Sequence, residues 1–342
     1  MCRISVGRKR LAMSDVLPTF ADIEAAARRI AGKAVRTPLL NAPVLSERFG
    51  GQIFLKPECL QRTGSFKFRG ATNAITALGE AAKRGIVAGS SGNHAQGIAE
   101  AARLAGVRAT IIMPSDAPEA KRARTQASGA TIVPYDRVKQ DREAIGMDIA
   151  ERDGATFIHA YDNVDVIAGQ GTVGLEIADD CASLGVTPDI VLVSCSGGGL
   201  TAGTVLAVTE RYKNASIYSV EPEGFDDYRR SLEAGHIVAN EKMSGSVCDA
   251  LMSREPGRIG FAINKERLAG GLAVADQASL EAVGFAYEQL RLVVEPGGAV
   301  ALAALLSGQV EAAGKSVIVV LSGGNIDDAV LHRGIAAYRS KT

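Results

Sequence analysis

Short, continuously apolar segments constrain the fold of this chain more than any other feature of its sequence. Residues 190–193 read Ile-Val-Leu-Val and residues 317–321 read Val-Ile-Val-Val-Leu, without a polar position in either segment. A strand has this composition when both faces of its sheet are covered, which is the usual state of parallel sheets. Longer amphipathic or alanine-rich segments separate these strands. The sequence therefore predicts an α/β protein with mainly parallel sheets flanked by helices.

The boundaries of the elements follow from the same periodicity and from turn residues. Strands are predicted at residues 52–56, 85–89, 108–113, 131–134, 156–159, 190–194, 216–220 and 316–322, and helices at 95–105, 119–127, 164–181 and 277–290. An opening helix over residues 23–31 is preceded by a loose capping box, Thr19 with Asp22, and ends at Gly32.

The order of strands and helices predicts two domains. The units from residue 85 to residue 161 form a compact block, which we expect to be a small α/β domain inserted into a large domain of residues 13–84 and 162–342. A ligand pocket would then lie between the two domains, at the carboxyl ends of strands. Residues 1–12 are basic but lack the apolar core of a signal peptide, so we expect a disordered extension, with Met13 as a second candidate start.

Overall composition excludes several classes of protein. Lys and Arg together number 38, as do Asp and Glu, so no net field favours nucleic acid or an anionic membrane. No apolar run approaches the roughly 20 residues that a membrane span requires. The five cysteines form no C-x-x-C pair, which is typical of reduced thiols in a cytoplasmic protein. We therefore expect a cytoplasmic protein whose partner is a small molecule.

Lys67 lies in an apolar setting, Ser-Phe-Lys-Phe-Arg-Gly at residues 65–70, at the start of a predicted helix. A lysine that is desolvated loses its proton readily, and the free amine can then form an imine with a carbonyl group. The alternative is an ordinary surface lysine whose stem lies on apolar neighbours. The segments that follow favour the chemical interpretation.

Two strand-to-helix turns carry small residues suited to binding anions. Residues 90–94, Ser-Ser-Gly-Asn-His, offer hydroxyls and N–H groups at a helix N-terminus, which can hold a carboxylate or act only as a helix cap. Residues 194–203 contain three consecutive glycines whose N–H groups can surround a phosphate, although a flexible turn is the alternative. The spacing of Gly197, Gly199 and Gly203 departs from the dinucleotide-binding fingerprint by one residue. Gly314-Lys315-Ser316 precedes a strand, so it is not a P-loop.

Two further segments hold polar groups after predicted strands. Ser322, at the end of a buried strand, could contact a ligand or simply end the strand. Residues 221–227 contain four carboxylates, which could bind Mg²⁺ or Ca²⁺ or form a solvated acidic turn.

Taken in this order, the motifs resemble those of fold-type II pyridoxal-phosphate (PLP) enzymes, in particular the group of threonine and serine dehydratases and serine racemases. The resemblance runs from Phe20 to Asp328 and rests on residues 63–67, 90–94 and 168–172, the glycine loop and residues 322–325. It implies a two-lobed architecture like that of tryptophan synthase β. It also implies PLP as the cofactor and a homodimer as the assembly.

The resemblance implies a set of cofactor contacts. Lys67 would hold PLP covalently, Asn93 would bind its 3′ oxygen and Ser322 would face its pyridine nitrogen. The remaining implied cofactor-binding residues are Ser196, Gly197, Gly198, Gly199 and Leu200 around the phosphate, together with Ala250 and Glu295. Ser196 and Ala250 depart from the usual family residues, and the methyl group of Ala250 could tighten the pocket.

The resemblance also implies substrate and metal contacts. Lys67 and Ser91 would be the catalytic pair on opposite faces of the cofactor. Substrate contacts are implied for Ser90, Ser91, Asn93 and His94 and, by a looser alignment, for Arg142 and Ser253. A cation site for Mg²⁺ or Ca²⁺ is implied at Glu221, Asp227 and the carbonyl of Phe225.

The function implied by this resemblance is that of an ammonia-lyase, which eliminates water from L-threonine or L-serine to give a 2-oxo acid and ammonia. A 3-hydroxyaspartate dehydratase is a first alternative, because the guanidinium of Arg142 is suited to a second carboxylate. A serine racemase is a second alternative, because Ser91 is present. From another class, a PLP-binding protein without catalytic activity is a third.

Overall fold

A computed structural model describes residues 16–117 and 119–341. The expected disordered extension at residues 1–12 and the candidate start at Met13 lie outside these ranges. Within them, none of the helices combines the length and the apolar character needed to span a lipid bilayer.

The elements alternate along the chain much as the periodicity predicts. The strands are β1 (Leu40–Asn41), β2 (Gln52–Pro57), β3 (Ile86–Gly89), β4 (Ala109–Pro114), β5 (Thr131–Tyr135), β6 (Thr156–Phe157), β7 (Ile190–Ser194), β8 (Ser216–Pro222), β9 (Gly270–Val274) and β10 (Ser316–Leu321). The α-helices are α1 (Phe20–Ile30), α2 (Pro43–Phe49), α3 (Lys67–Ala77), α4 (Asn93–Ala105), α5 (Glu119–Ala127), α6 (Arg142–Asp153), α7 (Val164–Leu184), α8 (Gly199–Arg211), α9 (Asp227–Ala234), α10 (Arg258–Asn264), α11 (Asp276–Phe285), α12 (Pro296–Leu306) and α13 (Asp328–Arg339).

The described strands form two sheets. The larger has the order β1-β2-β10-β7-β8-β9, and the smaller has the order β5-β4-β3-β6. Every neighbouring pair is parallel except β1 with β2. This arrangement confirms the predicted fold class, mainly parallel sheets flanked by helices.

The larger sheet is covered on both faces, as its apolar strands require. Val317, Val319 and Leu321 of β10 pack in one cluster with α12, whereas Ile318 and Val320 pack in another with α7 and α8. Successive side chains of a strand point to opposite faces, so a strand with two buried faces carries mainly apolar side chains.

The smaller sheet has a core of its own. Phe68 and Ile75 of α3 and Ile98 of α4 pack with Ile111 on one face, while Val87 and Ile112 meet α6 on the other. Helix α3, which begins at Lys67, therefore shares its core with the smaller sheet. All four strands of this sheet fall between residues 86 and 157. The division into two domains at residues 85–161 stays a prediction.

Several local predictions hold and others do not. The capping box of Thr19 with Asp22 is present at the start of α1. Strand β6 stops after two residues, and the predicted helix at 277–290 changes into a π-helical turn at residues 286–290. Strands β1 and β9 were not predicted. β9 begins with Gly270-Gly271, residues that are unusual in a strand. A side chain at Gly271 would lie 2.7 Å from the backbone of Arg229, so the close packing of α9 on β9 explains the glycine.

Candidate active site

The predicted site segments meet at the carboxyl ends of parallel strands. The turn at residues 63–66 lies along residues 322–325: the Phe66 N–H donates to the Ser322 carbonyl at 3.1 Å, and the Gly324 N–H donates to the Gly64 carbonyl at 2.8 Å. These bonds place the start of α3 beside the end of β10. The geometry brings Lys67 and Ser322 into one region, as the sequence predicts.

Lys67 is the first residue of α3 and is partly buried. Its Nζ donates to the carbonyl of Ala160 at 2.9 Å and lies 5.2 Å from the centroid of the Phe66 ring. Desolvation lowers the pKa of this amine to about 8, because no carboxylate compensates for the lost water. More of this amine than of an exposed lysine is therefore neutral near neutral pH, and the neutral form acts as a nucleophile or a base.

The glycine loop leads directly into α8. Gly198 has a left-handed backbone with φ of 87°, and a side chain there would overlap the ring of Tyr228. A side chain at Gly197 would overlap the ring of Tyr161, and one at Gly199 would come within 2.8 Å of the Gln170 Oε1 atom. The loop thus has no room for a Cβ and leads into the N-terminus of α8, a position that suits a phosphate.

Ser322 is buried at the end of β10. The hydroxyl of Ser194, at the end of β7, donates to the Ser322 Oγ atom at 3.0 Å. Within the described residues, the Ser322 side chain has a hydroxyl as its hydrogen-bond partner and forms no hydrogen bond with a carboxylate. A hydroxyl at this place can contact a ring nitrogen without holding it protonated.

Asn93 belongs to a side-chain network with Glu295 and Asn325. Its Nδ2 donates to the Glu295 Oε1 atom at 2.6 Å, and its Oδ1 accepts from the Asn325 Nδ2 at 2.7 Å. A Cβ on Gly323 would overlap the Glu295 carboxyl, so the backbone that follows β10 packs directly against this carboxyl group. Burial raises the pKa of Glu295 to about 7. Sequence reasoning included Asn325 only as part of a motif and gave it no role.

The turn of residues 90–92 and the first turn of α4 face the same region. The Ser90 Oγ accepts from the Gly92 N–H at 3.2 Å, and Ser91 is partly buried. His94 is buried, with its Nε2 atom 3.3 Å from the Ile158 carbonyl and its Nδ1 atom without a partner. Desolvation lowers the pKa of His94 to about 3, so the ring is neutral.

Arg142 is the first residue of α6 and reaches the same turn. Its aliphatic stem lies against Gly89, the residue directly before Ser90. Its Nε atom is buried without a hydrogen-bond partner, and within residues 16–117 and 119–341 no carboxylate forms a salt bridge with it. Its positive charge also contributes to the lowered pKa of His94. Arg142 lies beside the turn of residues 90–94 and interacts electrostatically with Glu143, but among the described residues its guanidinium forms no salt bridge, so it is available to a ligand.

Ser253 and Ala250 follow β8 and α9 in the chain. The Ser253 Oγ is buried without a partner, whereas Ala250 is exposed on a 3₁₀ turn over Asp249–Leu251. On the same turn, Asp249 accepts from the Lys121 Nζ of α5 at 2.5 Å, a link between the two sheets' helices that the sequence did not suggest.

Sequence reasoning missed the segment of residues 158–162, which joins β6 to α7. Ala160 binds Lys67, and the Nε2 of His159 lies 3.1 Å from the Glu143 carboxylate next to Arg142. The Tyr161 ring packs against Gly197, and Asp162 accepts from the Ile259 N–H at 2.8 Å. The available signal was His159 at the end of the predicted strand and Tyr161 just after it.

The acidic segment is not a solvated turn. Glu221 lies in β8 and Asp227 begins α9, and both are fully buried. Glu221 accepts from the N–H groups of Tyr228 and Arg229, and the Asp227 Oδ1 accepts from Asn240 at 2.6 Å, but the Asp227 Oδ2 has no partner. Burial and mutual repulsion raise the pKa of Glu221 well above its usual range, and burial raises that of Asp227 to about 7.

Comparison with known proteins agrees with this geometry. The model of the pyridoxal-phosphate dependent enzyme family matches residues 30–323. The chain belongs to this family. It is 43% identical over 312 residues to the L-threo-3-hydroxyaspartate ammonia-lyase of a Pseudomonas species, covering 91% of this chain and 96% of that protein.

Two further relatives have different names. The serine racemase of Schizosaccharomyces pombe is 39% identical over 318 residues, covering 92% of this chain and 97% of that protein. The crystal structure of a threonine deaminase from T.th. superposes with a TM-score of 0.85 at 42% identity, covering 91% of this chain and 99% of that one. The chain is thus an α/β enzyme of fold type II, as the resemblance implies.

The residues present fit PLP. The glycine loop lies at the N-terminus of α8, where a phosphate is stabilised, and it packs so closely on Tyr161 and Tyr228 that a Cβ at Gly197 or Gly198 would overlap their rings. Lys67 supplies an amine of lowered pKa, and Ser322 supplies a hydroxyl at the carboxyl end of β10. No group of three or more His, Cys, Asp or Glu suited to a metal occurs in the described part of the chain.

Proposed function

We propose that this chain is a PLP-dependent ammonia-lyase that eliminates water from a 3-hydroxy amino acid, and that its preferred substrate is 3-hydroxyaspartate, which yields oxaloacetate and ammonia. The observation that carries the choice of substrate is Arg142, a cation without a carboxylate partner beside the turn of residues 90–94. The Pseudomonas relative named for 3-hydroxyaspartate supports the same choice.

The cofactor contacts in this proposal are those of the candidate site. Lys67 holds PLP, Asn93 and Ser322 contact its ring, and residues 196–200 bind its phosphate, with Glu295 acting through Asn93 and Ala250 lining the cleft. When bound, PLP withdraws electrons from the substrate Cα, so that a proton and the β-hydroxyl can leave.

Lys67 is also the proposed base. Its lowered pKa gives it a neutral amine near physiological pH, and the Ala160 carbonyl orients that amine. A base whose pKa is near the working pH accepts a proton efficiently. Ser91, in the turn on the other side of the site, is the proposed group for proton exchange on the opposite face.

The α-carboxylate of the substrate is proposed to bind at the start of α4. Ser90, Ser91 and the first N–H groups of the helix offer hydrogen bonds there. His94 is neutral, so it acts as a hydrogen-bond donor or acceptor instead of a counter-ion. The side chain of Asn93 is committed to Glu295 and Asn325.

A second carboxylate would satisfy the groups that remain. Arg142 has a buried Nε without a partner, and Ser253 has a buried hydroxyl without one. A β-carboxylate can accept from a guanidinium in a bidentate pair, which is among the strongest hydrogen-bonded arrangements. The methyl group of threonine would leave the guanidinium desolvated and unpaired, which disfavours binding.

The test is a panel of substrates with the purified holoenzyme. Release of 2-oxo acid is measured from both diastereomers of 3-hydroxyaspartate, from L-threonine and from L-serine, and formation of D-serine is measured in parallel. We expect oxaloacetate to form with the highest kcat/KM. A higher kcat/KM for L-threonine or L-serine would contradict the choice of substrate.

Threonine deamination and serine racemisation are second candidates, because the chain is similar to a threonine deaminase and to a serine racemase. The observation that favours racemisation is Ser91, a hydroxyl in the turn beside the start of α4. The D-serine measurement separates the two, because a dehydratase releases pyruvate without accumulating D-serine.

We further propose a structural cation, Mg²⁺ or Ca²⁺, at Glu221, Asp227 and the carbonyl of Phe225. The unpartnered Asp227 Oδ2 beside a second buried carboxylate supports it, because two buried like charges without a cation are unfavourable. Asn240 links this pair to the substrate side, since its Nδ2 bonds both the Asp227 Oδ1 and the Ser253 carbonyl.

The proposed assembly is a homodimer, and the proposed location is the cytoplasm. Light scattering coupled to size exclusion would test the assembly: a mass of twice the 35.6 kDa of one chain is expected, and the mass of a single chain would contradict it.

A further inference from the structure

Gly89 is the last residue of β3 and directly precedes the carboxylate-binding turn. Its φ is not in the left-handed region, so its backbone conformation is open to any residue. Gly89 is paired with Ile112 of the neighbouring strand like an ordinary strand residue. The backbone therefore gives no reason for a glycine at this place.

The space beside Gly89 is taken by the stem of Arg142. A Cβ at position 89 would lie 2.8 Å from both the Cγ and the Cδ of Arg142, and 3.0 Å from its Nε. These are the three nearest atoms, so the stem of Arg142 is the first obstacle to a side chain at this position. Contacts this short force the arginine to move, because its stem is the flexible partner.

Hydrogen bonds at the N-terminus of α6 fix the backbone around Arg142. Asp141 caps α6 by accepting from the N–H groups of Glu143 and Ala144 at 2.8 and 3.2 Å. Glu143 binds His159, whose Nδ1 accepts from the Asp162 N–H at 2.9 Å, so the proton on this ring lies on Nε2, facing Glu143. These contacts fix the backbone of the first turn of α6. Only the side-chain conformation of Arg142 can then change in response to its surroundings.

We propose that Gly89 is a specificity-determining residue: by lacking a side chain, it seats the stem of Arg142 across the end of β3 and directs the guanidinium to the second carboxylate of a dicarboxylic amino acid. This inference rests on the proposed function, because it assumes a substrate with two carboxylates. Gly89 acts through Arg142 and has no contact of its own with the substrate.

The experiment compares the holoenzymes of four variants with the wild type. Gly89→Ala displaces the stem, Arg142→Met removes the charge, and the double variant completes a mutant cycle. Gly270→Ala is the matched control, since it adds the same methyl group to a strand glycine whose nearest neighbours, in the Tyr218 ring, lie at 3.6 Å or more. Two readouts are used: the ratio of kcat/KM for 3-hydroxyaspartate to that for L-serine, and the dissociation constants of L-aspartate and L-alanine, which lack a leaving group, from the cofactor absorbance.

Gly89→Ala should lower the preference for 3-hydroxyaspartate over L-serine, and for L-aspartate over L-alanine, by about tenfold or more, the value of a charge-assisted hydrogen bond. It should change neither preference further in the Arg142→Met background, and Gly270→Ala should match the wild type. The same loss for both ligands of each pair, or a loss that persists without Arg142, would overturn the inference.

The ligand pair separates this inference from the proposed function. If L-aspartate binds more tightly than L-alanine in a manner that depends on both Gly89 and Arg142, the inference stands even when no oxaloacetate is released. If L-aspartate has no advantage in the wild type, the inference fails, whichever hydroxy amino acid is turned over.

Discussion

The proposed cofactor side and the proposed substrate side of the site are built differently. On the proposed cofactor side, the glycine loop and the ends of β7 and β10 are formed by backbone and small side chains, with Ser194 and Ser322 bonded to each other. On the proposed substrate side, His94, Arg142 and Ser253 each have a buried polar atom without a hydrogen-bond partner among the described residues. Buried polar groups are usually satisfied, so these atoms, like those of Gln170 beside Gly199, are candidates to bind a ligand.

This difference explains what each side can change. The cofactor side is fixed by backbone shape, so that an added side chain disrupts it. The substrate side is fixed by a few long or polar side chains, so that a single substitution redirects specificity.

Lys67→Ala should reduce turnover by at least about a hundredfold, because it removes both the attachment of PLP and a general base. The fold should remain, since the Lys67 side chain makes one hydrogen bond, to Ala160. The measurement is 2-oxo acid release together with the far-UV circular dichroism. Turnover that survived in a folded variant would contradict the role of Lys67.

Gly198→Val should weaken PLP binding by about tenfold or more, because position 198 has a positive φ and no space against Tyr228. Titration of the apoenzyme with PLP measures the dissociation constant. Gly235→Ala is a suitable control, because Gly235 also has a positive φ, of 73°, but nothing within 4 Å of its Cβ position. Equal effects of the two substitutions would show that the cradle shape is not responsible.

Asp227→Asn should flatten the pH dependence of stability. Burial raises the pKa of Asp227 from 3.8 to about 7, so the folded protein binds a proton more tightly than the unfolded chain does. Stability is therefore highest below pH 4 for this group and falls as the pH rises towards 7. Thermal unfolding from pH 4 to pH 8 without metal should show this fall in the wild type and a smaller one in the variant.

Addition of Mg²⁺ or Ca²⁺ should restore the stability of the wild type at pH 8 and leave Asp227→Asn with less benefit. A cation bound to the two carboxylates removes the repulsion that raises their pKa values. If neither ion changes the unfolding midpoint of the wild type, the proposed cation site is wrong.

Glu295→Gln should have the smallest effect. The amide oxygen of Gln can still accept from Asn93, so the network is kept while the titration near pH 7 is removed. PLP affinity measured between pH 6 and pH 8 should depend less on pH in the variant than in the wild type, because Lys67, with a pKa of about 8, titrates in both proteins and Glu295 only in the wild type. The same pH response in both proteins would assign the difference to another group.

Much of the fold is predictable because it follows from local patterns. The apolar run of β10 predicts a strand with two buried faces, and Thr19 with Asp22 predicts the start of α1. The glycine loop and the turn at residues 90–94 are recognisable as strand-to-helix turns of small residues, although a flexible turn and a helix cap are the alternatives for them. The structure of these segments is determined by residues that are close together in the sequence.

The rest depends on contacts between distant parts of the chain. Nothing near Gly89 reveals that Arg142 occupies its side-chain space, and nothing near Tyr161 reveals that it packs on Gly197. The acidic segment predicts either a cation site or a solvated turn, and only the packing of β8 and α9 shows that Glu221 and Asp227 are buried. Such relations are set by tertiary packing, which sequence periodicity does not describe.

The most direct test of the central claim is the ratio of kcat/KM for 3-hydroxyaspartate to that for L-threonine, measured in the wild type and in Arg142→Met. The account predicts that the wild type prefers 3-hydroxyaspartate and that the substitution lowers the ratio by about ten- to a hundredfold, the value of a charge-assisted pair with a carboxylate. A ratio that is the same in both proteins would contradict it.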